Sequence, residues 1–219
     1  MIAWVYENAR QAACLDHLLV ATDSPEVESY CRQQSIPVMM TSREHKSGTD
    51  RMAEVMATEP ADVYVNIQGD EPMITPDHIE RLLQPFRAAP ATQVSTLKVA
   101  IDPETALDRN VVKVVTDLAG RALYFSRARI PFDRDGSGQT QYFKHQGFYA
   151  FSAAALDTFH HLLPSPLEKL EKLEQLRFLE NGIGIAVVET PHDTIGVDTE
   201  EDLLRVEEHF HLRHSQSER

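Results

Sequence analysis

Two acids in this 219-residue chain stand where a hard cation can be held. Asp70 lies in NIQGDEP (66–72), which overlaps the end of DVYVNI (62–67), a β-branched run of the type that forms a strand buried on both faces. A strand ending in Gln68-Gly69-Asp70-Glu71 puts an amide, a turn and two carboxylates just beyond the carboxyl edge of a parallel sheet, the place where open α/β folds bind ligands. Asp198, in GVDTEED, follows a second strand-like segment and precedes a helix. Two acids from two strand ends can share one Mg²⁺, which takes carboxylate and phosphate oxygens and keeps several waters. Each acid alone has a plainer reading: Gly69-Asp70 as a turn with a solvated carboxylate, and Asp198 as an ordinary helix-capping residue.

Groups suited to anions lie elsewhere. HKSGTDR (45–51) is a loop running into a helix, with Ser47, Gly48 and Thr49 offering hydroxyls and close backbone approach, and Arg51 a forked donor. The GxxxxGK[ST] spacing of a Walker loop is absent, and capping by Thr49 with Arg51 exposed fits the local sequence equally well. Ser126-Arg127-Ala128-Arg129 and Lys144-His145 gather basic groups on either side of a glycine-containing loop, where they either bind a small acid or decorate the surface of a hairpin. His145 and Tyr149, four apart in a strand, face the same side. The ten histidines show no HExxH or Cys/His metal spacing, and Cys14 and Cys31 read as small apolar core residues.

The elements that must position these residues begin with a helix carrying Ile2, Val5, Tyr6, Ala9 and Ala13 on one face. Strand-like His17–Thr22 leads to Ser24-Pro25, a helix start, and that helix runs to about Gln34. Pro37–Thr41 is a second short strand, RMAEVMAT a helix, and Asp62–Ile67 a third strand followed by a strong helix start at Thr75-Pro76-Asp77. Strands separated by helices predict right-handed βαβ units and a parallel sheet. From Val94 the pattern changes: STLKVAI, VVKVVTD and RALYFS are separated by short turns, which predicts antiparallel hairpins, and YFKHQGFYAFS resumes strand character before a helix near 153–162. PLEKLEKLEQLRFLENG (166–182) reads as one helix with Leu167, Leu170, Leu173 and Leu176 or Arg177 on its core face and Asn181-Gly182 ending it. IGIAVVET is a late strand, and Asp198–Asp202 opens a last helix that frays after about Phe210.

Composition narrows the partners. With 21 basic and 34 acidic residues the net charge is −13, which repels nucleic acid and anionic lipid. No apolar run approaches the roughly 20 residues of a membrane span, and two cysteines cannot form a secreted disulfide framework. A single cytoplasmic domain over 1–219 is expected, with 110–165 as a smaller β-rich lobe.

Together HKSGTDR, VNIQGDEP, NVVKVV, ALYFSRARIPFDRD, KHQGFYAF, SPLEKLEKLEQLRFLENG and GVDTEEDL, in this order and spacing, resemble the 3-deoxy-manno-octulosonate (Kdo) cytidylyltransferases, from Met1 to about Val206. The resemblance implies a Rossmann-like, mostly parallel sheet with helices on both faces, of nucleotide-sugar transferase type, plus a smaller antiparallel lobe that forms a homodimer. It implies CMP transfer from CTP to Kdo with Mg²⁺, for lipopolysaccharide. By motif match, Asp70 and Asp198 hold the metal and Gln68 contacts substrate; Ser47, Gly48 and Arg51 lie at the nucleotide; Arg127 meets the sugar-acid carboxylate; and His145, Tyr149, Glu174 and Gln175 line the Kdo pocket. Two other readings stay open: transfer to an amino-substituted Kdo, and a non-catalytic homologue that binds or regulates.

One departure stands out. The family begins with a buried strand and a glycine- and arginine-containing loop ending in Gly-Lys-Pro, upstream of the residues matching Met1-Ile2. Loss of that strand is expected to leave two open sheet edges. A start placed too late, a shortened inactive copy and a chain completed by pairing with another are the available explanations, the first favoured on those physical grounds.

Overall fold

A computed structural model describes residues 1–45, 47–136, 138–197 and 199–217, with side chains as far as Glu208. The first half alternates helix and strand as the periodicity predicts: α1 (Ile2–Ala9), β1 (Val20–Thr22), α2 (Pro25–Gln33), β2 (Val38–Met40), α3 (Gly48–Thr58), β3 (Val63–Asn66) and α4 (Pro76–Ala88). Local chemistry sets the helix starts. The Ser24 hydroxyl accepts the Val27 amide at 3.3 Å with Pro25 in the first turn. Thr75 and His78 form a reciprocal cap in which the Thr75 amide donates to His78 Nδ1 at 3.1 Å.

The second half contains β4 (Val94–Ile101), β5 (Lys113–Thr116), β6 (Ala122–Ser126), β7 (Tyr142–Ser152), α5 (Ala153–His161), α6 (Pro166–Glu171), α7 (Leu176–Glu180), β8 (Ile185–Glu189) and α8 (Glu200–Ser217). β5 and β6 form the expected antiparallel hairpin. The eleven-residue β7 organises the larger sheet. One of its edges carries β4 along its length; the other carries β3 beside Tyr149–Ser152 and β5 beside Lys144. β8 extends the sheet parallel to β4. Hence β3, β4, β5 and β8 point one way, while β6 and β7 run against them. The α/β class holds, but β7 enters between β3 and β4, so most neighbours in this sheet pair antiparallel rather than through βαβ units. The parallel pairing predicted for the first strands is found in the separate sheet of β1 and β2, where Val20 is registered with Val38. Among the described residues β1 is laddered only to β2 and β3 only to β7.

Apolar clusters fill both faces of the larger sheet. On one, Phe151, Phe159, Leu176, Phe178 and Ile185 pack between the strands and α5 and α7; on the other, Phe148, Leu97 and Ala150 pack against Val5 of α1 and Ile79 and Leu82 of α4. Each fully buried Phe or Leu contributes roughly 1.5–3 kcal/mol relative to exposure.

The predicted single helix over 166–182 is broken. Lys172 takes a left-handed conformation (φ 56°) between α6 and α7, and Leu170, expected in the core, is 79% exposed. The cause is tertiary. The Glu171 carbonyl accepts Arg127 Nε at 3.0 Å, and its carboxylate accepts the Ser126 hydroxyl at 2.7 Å and the Arg127 amide at 3.0 Å. Leu173, Leu176 and Phe178 still reach the core after the chain turns.

Candidate functional site

The site is built at the carboxyl end of β3 and the amino end of α3. Ser47, rather than Thr49, caps α3: its hydroxyl accepts the Asp50 amide at 3.2 Å. This frees the Thr49 hydroxyl to donate to the Glu174 carboxylate, in a contact that joins α3 to the segment before α7. Gly48 lies so close to the strand end that a Cβ there would come within 2.9 Å of Gln68 Nε2 and 3.3 Å of Asn66 Nδ2. The chain therefore brings Ser47, Gly48, Gln68 and Glu174 to one place, at a helix N-terminus whose free amides and dipole favour an anion.

Beyond Gln68 the chain turns, the Glu71 amide donating to the Gln68 carbonyl at 3.2 Å. The Asp70 carbonyl then accepts the Val197 amide at 2.8 Å, so the loop after β8 returns to the end of β3. That loop is held by several side chains. His78 Nε2 and Gln146 Nε2 both donate to the His192 carbonyl, at 3.1 and 2.8 Å, and the Lys144 ammonium reaches Asp193 and the Thr194 carbonyl at 2.8 Å each. Asp198 itself lies outside the described residues. Glu71 is pressed between these segments: Cβ atoms at Gly196 and Gly147 would lie 3.4 and 3.9 Å from its Oε1, and its Oε2 is buried with no hydrogen-bond partner. Burial first, then the neighbouring Asp70 charge, pushes the Glu71 carboxyl up to about 7.

Among the described residues no three His, Cys, Asp or Glu side chains form a metal cage. The donor chemistry at Asp70 and the orphaned Glu71 oxygen suits instead a cation that takes one or two carboxylates and draws its other ligands from water and phosphate, as Mg²⁺ does.

Farther along the sheet His145 and Tyr149 do share a face, ring centroids 5.4 Å apart, across the bulge where β7 opposes Thr96 and Leu97. The Thr96 hydroxyl gives its proton to the Phe148 carbonyl at 2.7 Å, so His145 donates from Nε2 to Thr96 Oγ1 at 3.0 Å. Burial, reinforced by Lys144, holds the imidazole down to about 3 and hence neutral. The Tyr149 hydroxyl is buried and unpaired, and burial followed by the Glu174 charge keeps it well above the usual phenol range. Burial likewise raises the Glu174 carboxyl. Gln175 is also buried, at the head of α7.

Two predicted residues sit at the margins. Arg51 turns toward the ends of β1 and β2, where it donates to the Thr41 hydroxyl and approaches Asp23 at 3.4 Å. Arg127 lies at the end of β6, its Nε on the Glu171 carbonyl and its Nη1 on the Arg109 carbonyl at 3.3 Å.

Sequence reasoning missed Thr49 as a link, Glu171 as the anchor of Arg127, and Lys113, which is wholly buried. Only the last left a signal, a lone lysine inside the β-branched run NVVKVV. Glu171 looked like one of several solvated acids on a helix.

The chain matches the family described as cytidylyltransferase over residues 1–189. It is 54% identical over 208 residues to the 3-deoxy-manno-octulosonate cytidylyltransferase of Acidobacterium capsulatum, covering 95% of this chain and 84% of that one. It is 53% identical over 208 residues to the enzyme of the same name from Koribacter versatilis, covering 95% and 79%. A solved CMP:2-keto-3-deoxy-manno-octonic acid synthetase complexed with CTP superposes with a TM-score of 0.93 at 42% identity, over 97% of this chain and 88% of that one.

Proposed function

The chain belongs to the 3-deoxy-manno-octulosonate cytidylyltransferase family, and from that membership we propose that it transfers CMP from CTP to Kdo and releases pyrophosphate. The observation that carries this reading is the superposition on a CTP-bound synthetase across nearly the whole chain, at 42% identity.

In this reading the anomeric hydroxyl of Kdo attacks the α-phosphorus of CTP, the bond to pyrophosphate breaks, and the hydroxyl proton passes to solvent. Positioning and electrostatics do the work, and no protein nucleophile takes part. Ser47, Gly48 and Gln68 bind the nucleotide at the head of α3, with Arg51 at its margin. Arg127 takes the sugar-acid carboxylate, for which a planar fork of donors is suited. His145, Tyr149, Glu174 and Gln175 shape the sugar pocket: the neutral imidazole and the un-ionised phenol offer hydrogen bonds without adding charge. Asp70 and Asp198 hold Mg²⁺, whose contribution when bound is to offset charge developing on the phosphoryl oxygens. The donor chemistry of Asp70 and the backbone bond from Val197 to Asp70 support that assignment.

The lobe at 110–165 forms the homodimer contact in this proposal, supported by the exposure of Leu118, Leu123, Phe132 and Leu163 on it. We place the reaction in the cytoplasm, its product serving lipopolysaccharide synthesis. No helix among the described residues is long and apolar enough to cross a membrane.

Pyrophosphate release by the purified chain with CTP, Kdo and Mg²⁺ tests the activity, circular dichroism establishing that the sample is folded. Release that needs all three is expected. A folded sample that releases none speaks against turnover by this chain, and release with an amino-substituted Kdo in preference to Kdo reassigns the acceptor.

A further inference from the structure

Lys113 is a wholly buried charged side chain, and nothing in the proposed reaction uses it. It opens β5, between β6 and β7. A buried ammonium is costly unless its protons are matched. Here all three are: Nζ donates to the carbonyls of Asp108 at 2.7 Å, Val111 at 2.6 Å and Arg127 at 2.6 Å.

The choice of acceptors gives the lysine a role. Arg127 is fixed from two directions: its backbone at its own carbonyl, and its guanidinium at the carbonyls of Glu171 and Arg109. The carbonyls of Asp108 and Val111 bracket Arg109. One ammonium therefore references both the backbone of Arg127 and the loop that receives its Nη1. Among the described residues neither Lys113 nor Arg127 makes a direct ion pair with a carboxylate, and Arg127 Nη2 has no hydrogen-bond partner. Their acceptors are neutral carbonyls, apart from the Glu171 carboxylate on the Arg127 amide. Two positive charges thus lie close together, and burial first, with Arg127 assisting against the charges of Asp108 and Glu171, lowers the Lys113 ammonium from its ordinary range; one pair of guanidinium hydrogens is left over.

We propose that Lys113 is a positioning residue for the acidic substrate: its ammonium fixes the aim of the Arg127 guanidinium and adds a second positive charge behind the place where the substrate carboxylate lands. This rests on the reading of Arg127 as the sugar-acid contact. A purely structural lysine would serve all ligands alike, whereas this one serves a carboxylate.

The test measures calorimetric binding of Kdo, of its uncharged carboxamide, and of CTP, without divalent cation so that no turnover occurs. Lys113→Met is expected to weaken Kdo binding about tenfold while the carboxamide and CTP change less than about twofold, and Lys113→Arg to recover part of the loss. Equal weakening of all three ligands, or no weakening of any, overturns the proposal. Arg127→Lys is the control: if it leaves Kdo binding unchanged, the reading of Arg127 fails and the proposal with it; if it weakens Kdo but Lys113→Met does not, the proposal alone fails. Should Lys113→Met not fold, the ¹⁵Nζ resonance of Lys113 in the unaltered protein decides. A shift on adding Kdo, and none on adding CTP alone, is expected; no shift at saturating Kdo overturns the proposal.

Discussion

The backbone amide of Val197 donates to the carbonyl of Asp70 at 2.8 Å, joining two loops separated by more than half of the chain. One loop leaves β3 and the other leaves β8, strands on opposite sides of β7 and β4 in the larger sheet. The hydrogen bond makes the spacing of these loops a property of the backbone, so exchange of a nearby side chain need not disturb it. His78, Gln146 and Lys144 hold the second loop from the strand side. Such a site can lose a charge and keep its shape.

Asp70→Asn and Asp198→Asn are accordingly expected to lower turnover on the order of a hundredfold or more, the scale on which loss of one group stabilising transition-state charge is felt. Circular dichroism and the melting temperature should stay close to those of the unaltered protein. Near-normal rates in both variants would remove the paired carboxylates from the reaction.

Gly48→Ala separates binding from stability. The added Cβ meets Gln68 Nε2 at 2.9 Å, the far end of a flexible side chain that can swing aside, and alanine is the better residue inside a helix. The melting temperature should therefore hold or rise slightly. If Gln68 contacts the nucleotide, its displacement should raise the KM for CTP by about tenfold, a loss of the size of one hydrogen bond to a charged group, with the KM for Kdo little changed. An unchanged KM for CTP would take Gln68 out of the nucleotide site.

How much of this was legible in the sequence depended on whether the deciding contact was local. The starts of α2 and α4 were readable because Ser24-Pro25 and Thr75-Pro76 satisfy helix amides within one turn. β3 and β7 were readable from β-branched and aromatic runs, and the shared face of His145 and Tyr149 from the two-residue period of a strand. The sheet order was not, because hydrophobic runs do not say which strand enters between two others. The helix over 166–182 failed for a related reason: leucines at helical spacing cannot reveal that the Glu171 carbonyl is taken by an arginine 44 residues earlier. Lys113 stood in plain view as a charge within an apolar run, but its three carbonyl partners become visible only once the chain is folded.

Acid should weaken the fold through His145. Its neutral form is buried and its folded pKa lies at about 3, below the ordinary value of 6.5 taken by the unfolded chain. The unfolded state therefore binds the proton more readily. Stability from this group is complete above pH 6.5 and is lost as pH falls through the window from 6.5 to about 3, at up to about 1.4 kcal/mol per pH unit. Urea unfolding at pH 7.5 and pH 5 should show His145→Gln losing about 2 kcal/mol less than the unaltered protein over that interval. The buried His78 shifts in the same direction but is present in both proteins, so it cancels in the comparison. Equal losses in the two proteins would mean that His145 is protonated in the folded state.

The break between α6 and α7 offers a test of cause as well as of magnitude. Lys172 holds a left-handed backbone at φ 56°, a region that favours glycine because a Cβ crowds the neighbouring carbonyl. Lys172 is exposed and makes no contact on which the site depends. If contacts of Glu171 with Arg127 and Ser126 impose the turn, the lysine is strained for the sake of its neighbours. Lys172→Gly should then stabilise the protein by about 0.5–1 kcal/mol, relief of that strain being partly offset by the greater freedom of glycine in the unfolded chain. For a chain of this length the melting temperature should rise by roughly 1–4 °C, with Kdo and CTP affinities unchanged. Lys172→Ala, which keeps a Cβ, should give no comparable gain. A fall in stability for the glycine variant would mean that the segment is not held in this turn, and that α6 and α7 form the single helix their leucine spacing describes.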